Sequence, residues 1–153
     1  MSTKGRREEM RLFNLDYGDL LRPTYRIIPG TGWGQCTNLT SEYLIVYGPK
    51  NEHERSIFDT SPYVLPPGNT TPDCWDCDGF LLPSDRSLRR WRGSKRGPVA
   101  IKFWDFRRFS VRNIADGTYS CSWVNGIFEP SQINWAIPNF TYQEILRRIQ
   151  LAV

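Results

Sequence analysis

Histidine is almost absent: His53 is the only one in 153 residues. It stands in the polar stretch Gly48 to Glu54, so no catalytic triad can be built around it. Long apolar runs are missing as well. No segment approaches the roughly eighteen apolar residues that a spanning helix needs. Met1 to Met10 is charged and has no apolar centre, so no secretory signal is expected and the cytoplasm is the expected address. On that expectation the sequons at Asn38, Asn69 and Asn139 carry no meaning. Uninterrupted stretches are scarce too, because 11 Pro and 12 Gly punctuate the chain and exclude long helices over most of it.

What the chain does have is aromatic bulk, with six Trp, seven Tyr and eight Phe to fill a core of modest aliphatic content. Its length suits one domain with an added terminal element. Short apolar runs between the breakers predict an all-β barrel or sandwich. Leu44 to Tyr47 and Pro98 to Trp104 read as strands, the second continued by Phe106 to Val111. Between the pieces Trp33 to Thr37 and Leu44 to Tyr47 lies a polar hinge, Asn38 to Glu42, whose short side chains suit bonding to backbone or ligand. Gly117 to Phe128 predicts a hairpin turning at Asn125-Gly126. A single helix is expected near the C-terminus, where Thr141 and Glu144 form a capping box and Ile145, Leu146 and Ile149 an apolar stripe.

The formal net charge is +4, which makes an anionic partner plausible. Arg7 and Arg11 are four residues apart, with Arg6 beside them, and Arg22 and Arg26 repeat the spacing. The most basic run, Arg86 to Arg96, surrounds Trp91 with Arg89, Arg90, Arg92 and Lys95. Such interleaving suits phosphates and stacked bases, although a solvated loop is the commoner cause. Cys74 and Cys77 have the spacing of a metal knuckle or a redox pair, while Cys36 and Cys121 stand alone. Zinc would need a third and fourth ligand, for which Cys36 or Cys121 are the candidates. Plain structural cysteines are the simpler reading, and redox chemistry is a third. Asp73, Asp76, Asp78 and Lys102 together suggest a carboxylate-plus-lysine metal site of a small nuclease or toxin. That site lacks an acidic residue two before the lysine, where Ala100 stands. An immunity or interaction protein with no small ligand is a further alternative.

The stretch from Gly32 to Val46 resembles the region of PilZ domains, a bacterial signalling family, that carries an Asp/Asn-x-Ser-x-x-Gly motif. Asn38, Thr40 and Tyr43 fall on its three fixed positions, Thr40 retaining the hydroxyl and Tyr43 standing where the motif has glycine. Arg6-Arg7-Glu8-Glu9-Met10-Arg11 resembles the arginine motif that precedes it. Leu65 to Gly68 and Val99 to Arg107 are similar to later strands, so the resemblance covers about residues 6 to 111. It implies a six-stranded β-barrel, which would span residues 20–112; the breaker density and the single capped helical pattern add an N-terminal arm (1–19) and a hairpin and helix (113–153) packed on the barrel's side. It also implies a non-enzymatic module that binds cyclic di-GMP through Arg6, Arg7, Arg11, Asn38, Thr40 and Tyr43, with Arg22 and Arg26 as fallback. An arginine can offer two donors to the guanine edge and stack on a base. Tyr43 in place of glycine removes backbone freedom and close approach, so a degenerate member that serves as a protein-binding adaptor stands beside the cyclic di-GMP module as the other expectation of the resemblance.

Overall fold

The computed structural model of the chain describes residues 34–49, 60–71, 76–104 and 108–152. They form ten strands and one helix: β1 (Gln35–Leu39), β2 (Leu44–Pro49), β3 (Thr60–Leu65), β4 (Gly79–Leu82), β5 (Ser87–Arg89), β6 (Ser94–Arg96), β7 (Val99–Phe103), β8 (Arg108–Ala115), β9 (Thr118–Cys121), β10 (Val124–Phe128) and α1 (Tyr142–Ala152). The protein is mainly β. Among the described residues the strands make two five-stranded sheets, in the orders β1-β8-β9-β5-β6 and β10-β7-β4-β2-β3. In the first sheet β1 runs parallel to β8 and β5 parallel to β9. The second is antiparallel throughout.

The second sheet is the middle layer. Leu44, Val46, Leu65, Phe80, Leu82, Val99, Ile101 and Phe103 face the first sheet and meet Cys36, Leu88, Phe109, Val111 and Tyr119 there. Phe103 and Phe109 stack across that interface with ring centroids 4.1 Å apart. On the opposite face Ile45, Tyr47, Val64, Leu81 and Ala100 pack against Trp135, Ile137, Phe140, Ile145 and Ile149. Every residue of β4 and β7 is therefore buried. This is why Phe80-Leu81-Leu82 and Val99-Ala100-Ile101 read as continuous apolar runs rather than alternating ones. At Gly79 the strands come so close that a Cβ would lie 2.1 Å from the Ile101 carbonyl oxygen, so no other residue fits without moving β7.

The helix begins as its pattern predicts. The Thr141 hydroxyl accepts from the Glu144 amide at 3.2 Å, and Ile145 and Ile149 are buried. Asp85 adds a second cap by accepting from the Tyr142 amide at 2.8 Å.

Three expectations need correction. The described residues hold ten strands in two sheets, not six in a closed barrel. The cause is that successive strands cross between sheets: β1 lies in the first and β2 in the second, so the hinge joins layers rather than turning a hairpin. For the same reason β7 and β8 are not one continued strand. Nor do β9 and β10 form a hairpin. Trp123, between them, has φ 63°, an outlier for a bulky residue, and the chain changes sheets there. Asn125-Gly126 is not a turn but part of β10, which pairs with β7 through an irregular register between Val124 and Gly126. Residues 112 and 113 are neighbours within β8, and β9 fills the middle of the first sheet. No helix among the described residues is long and apolar enough to cross a membrane.

Candidate functional site

The polar hinge is held from within. Asn38 is fully buried. Its Nδ2 donates to the carbonyls of Glu42 and Leu65 at 2.7 and 2.9 Å, and its Oδ1 accepts from the amide and hydroxyl of Thr40 at 2.9 and 2.7 Å. Both amide protons and both lone pairs are thereby used. The Thr40 hydroxyl oxygen also accepts from the Glu42 amide at 3.0 Å. Tyr43 leans on the helix-side core, and its amide donates to the Tyr142 hydroxyl at 3.1 Å. Asn38 and Thr40 therefore fasten the turn, with their polar atoms engaged inside the protein. Arg6, Arg7, Arg11, Arg22 and Arg26 lie outside the described residues.

Glu42, which sequence reasoning passed over, is the centre of the local charge. Arg86 clamps it with Nε at 2.9 Å and Nη2 at 2.5 Å, and the Tyr119 hydroxyl donates to the same carboxylate. Asp85 lies 3.1 Å from Arg86 Nη1, and the Arg86 guanidinium sits 4.8 Å from the Tyr142 ring centroid. Burial pushes the Glu42 carboxyl up, but the bonds from Arg86 and Tyr119 and the arginine charge outweigh it and hold it below the usual carboxylate range. The bond to Glu42 raises Arg86, and burial followed by Glu42 raises Tyr119. All of these groups satisfy one another, as a structural knot between layers does.

The cysteines are divided differently from the spacing in the chain. Cys77 is joined to Cys36 in a buried disulfide that ties β1 to the segment before β4. Disulfide sulfurs are not thiolates, so a zinc site using Cys77 is open only to the reduced chain. Cys74 lies outside the described residues. Cys121 is a free thiol that burial pushes up to about 12, Arg90 offsetting only part, which makes it a poor nucleophile. Of the carboxylate-plus-lysine set, Asp76 accepts from the Gly34 amide at 3.2 Å, Asp78 and Lys102 are buried, and Asp73 is outside the described residues. Lys102 Nζ donates to the Phe103 carbonyl at 3.2 Å. No group of three His, Cys, Asp or Glu among the described residues is placed to hold a metal.

A different surface remains. The five strands of the first sheet contain no Asp or Glu. Alternation turns Cys36, Leu88, Phe109, Val111 and Tyr119 inward and leaves Arg89, Arg96, Arg108 and Arg112 exposed on the far face. Hydroxyls and an amide fill the places between: Gln35 beside Arg108, Thr37 beside Ser110, Ser120 beside Arg112, and Ser87 between Thr118 and Arg96. With strands about 4.8 Å apart, Arg89 on β5 and Arg112 on β8 are separated by about 10 Å, one strand intervening. None of Arg89, Arg108 and Arg112 has an ion-pair partner among the described residues.

No family model, curated protein or solved structure matches the chain. The PilZ resemblance thus stands on its motif residues alone.

The basic run splits in two. Arg86 turns inward to Glu42, and Lys95 pairs with Glu129 at 2.7 Å. Arg89, Arg90, Arg92 and Arg96 stay exposed. Sequence reasoning missed Arg108 and Arg112 as site residues. Their signal was the period of two in Arg108-Phe109-Ser110-Val111-Arg112, which places the cations on one face and the apolar residues on the other.

Proposed function

We propose that the protein is a non-enzymatic binding module that holds a polyanion on the outer face of its first sheet. The observation that carries this is a five-stranded face with four exposed arginines, interspersed hydroxyls and no carboxylate on its strands. Guanidinium groups on a rigid sheet suit phosphate because they give paired, charge-assisted bonds with little ordering cost. A cyclic di-GMP site of the kind the PilZ resemblance implies would have to rest on Arg6, Arg7 and Arg11, with Arg22 and Arg26 as fallback. Asn38 already spends its hydrogen-bonding capacity in the hinge. An adaptor role is compatible with the same surface when the partner is acidic. The buried Cys36–Cys77 disulfide supports folding in an oxidising compartment, against the cytoplasmic expectation.

The test is a fluorescence anisotropy titration with a labelled oligonucleotide, run beside a thermal-shift titration with cyclic di-GMP. The expected result is oligonucleotide binding whose affinity falls steeply with salt, with Arg108→Gln and Arg112→Gln each lowering the salt slope by about 1. Binding that ignores salt, or no binding in dilute buffer, would sink the polyanion reading. A melting shift with cyclic di-GMP alone, abolished by Arg7→Ala, would favour the PilZ-like site instead.

A further inference from the structure

The hairpin of β5 and β6 carries an element that the phosphate-binding face does not need. Its connecting residues are Arg90-Trp91-Arg92-Gly93. The Arg90 amide donates to the Gly93 carbonyl at 2.9 Å, and Gly93 takes φ +84°, so the tip is a closed turn rather than a loose loop. On that tip Trp91 is 89% exposed, the most exposed large apolar side chain among the described residues. The Arg92 guanidinium lies 4.5 Å from its ring centroid. One face of the indole is backed by a cation, and the other is open.

An indole so placed is costly to leave in water and has no core to join. Its neighbours narrow what it would bind. Arg90 and Arg92 flank it in the turn, Arg89 ends the strand that leads into it, Arg96 lies at the base of the same hairpin opposite Ser87, and the strands beyond continue the exposed arginines to Arg112 and Arg108. An apolar protein partner would have to desolvate these cations. A phosphate-bearing chain would use them, and its bases would supply flat, uncharged faces for the open side of the indole. Paired bases are stacked inside a duplex and cannot reach it, whereas unpaired ones can.

We infer that Trp91 is a base-stacking platform and that the polyanion bound by this face is a single-stranded nucleic acid. The inference rests on the polyanion reading and adds to it the class of ligand. The backbone crosses the arginines of the first sheet, and one base packs on the indole against the side away from Arg92. Arg92 both fixes the ring and adds a positive charge behind it, which strengthens stacking on an electron-rich base.

The experiment compares a labelled single-stranded 20-mer of thymidine, a duplex of the same length and inorganic polyphosphate, with wild-type protein and Trp91→Ala, Trp91→Phe and Arg108→Gln/Arg112→Gln variants. Wild type is expected to prefer the single strand. Trp91→Ala should weaken that complex about 5- to 150-fold, leave the duplex and polyphosphate affinities unchanged, and be largely rescued by Trp91→Phe. The double arginine variant should weaken all three together. Thermal melts of each variant establish that it is folded, which an exposed tip residue allows.

Trp91→Ala with unaltered single-strand affinity, while the arginine variant loses it, would overturn the stacking inference and leave the polyanion reading standing. Equal wild-type affinity for the three ligands would overturn it in the same way. Failure of wild type to bind any of them would overturn both. Binding to phosphatidylserine vesicles, lost in Trp91→Ala and with no affinity for the oligonucleotides, would assign the tip to an anionic membrane surface and also overturn it.

Discussion

Glu42 and Arg86 are 44 residues apart in sequence and meet through two hydrogen bonds of 2.9 and 2.5 Å, joining the hinge between the sheets to the turn that opens β5. Both side chains are mostly shielded, at 20% and 16% exposure. Breaking such a pair from one side strands the other charge. Arg86→Ala is expected to lower stability by about 1–3 kcal/mol in urea denaturation, less than a fully buried pair because water still reaches both groups. Arg90→Ala, in the same basic run but exposed, should change stability by less than about 0.5 kcal/mol.

The same carboxylate predicts a direction with pH. Its folded pKa lies below the ordinary glutamate value. The unfolded chain therefore binds a proton more readily, and Glu42 stabilises the fold at any pH above its unfolded value near about 4.3. That contribution is lost as pH falls from there through the lower folded pKa. A Glu42→Gln variant should start less stable at pH 7 and lose less on acidification. Parallel melting curves for the two proteins between pH 7 and pH 3 would contradict this.

The disulfide gives a third expectation. Cys36 and Cys77 are separated by 41 positions. Closing a loop of that size removes about 4 kcal/mol of chain entropy from the unfolded state on the simple model, and about 2–4 kcal/mol is the usual yield. Reduction, or Cys36→Ser with Cys77→Ser, should lower the denaturation midpoint accordingly. Alkylation of the unreduced protein in denaturant, followed by mass spectrometry, should leave both residues unlabelled. Labelling of either under those conditions would show the bond to be absent, and stoichiometric zinc in the same preparation would restore the metal reading of Cys77.

Asn38 separates a structural hinge from a ligand-binding one. Asn38→Ala removes the donors to two carbonyls and the acceptor for Thr40. Each buried orphan costs about 1–3 kcal/mol, so the variant is expected to be strongly destabilised before any ligand is added. A variant that melts like the wild type but loses cyclic di-GMP affinity would return Asn38 to the ligand site. Tyr43→Gly tests the degenerate reading separately, since a gain of cyclic di-GMP affinity there would show a masked PilZ-like pocket.

What the sequence disclosed follows the range of the forces involved. Val99 to Phe103 and the Thr141 cap depend on neighbours a few residues away, and both were legible. The partition into two sheets was not, because β1 pairs in parallel with β8, a partner 73 positions on in the register of Gln35 with Arg108. Nothing local in Gln35 to Leu39 specifies that choice. Cys36 stands alone in the sequence because its partner is decided by the same long-range arrangement. Arg86 shows the limit most clearly: as part of a basic run it reads as solvated, yet one turn of backbone aims it at Glu42 and away from its neighbours. Arg108 and Arg112 are the opposite case: their alternation is legible, but a reading of Phe106 to Val111 as a continuation of the preceding strand hides the separate sheet they belong to.

The turn Ser84-Asp85-Arg86 touches all three layers. Ser84 donates its amide to the Phe140 carbonyl, Asp85 caps α1 and Arg86 grips the hinge between the sheets. Detaching α1 from the middle sheet therefore loosens the grip on Glu42, and parting the sheets at the hinge uncaps the helix. Layers wired through one turn have little freedom to open one at a time. Amide hydrogens of α1, β2 and β9 should accordingly exchange with solvent at a common slow rate set by global unfolding, with no separate, faster opening of the helix.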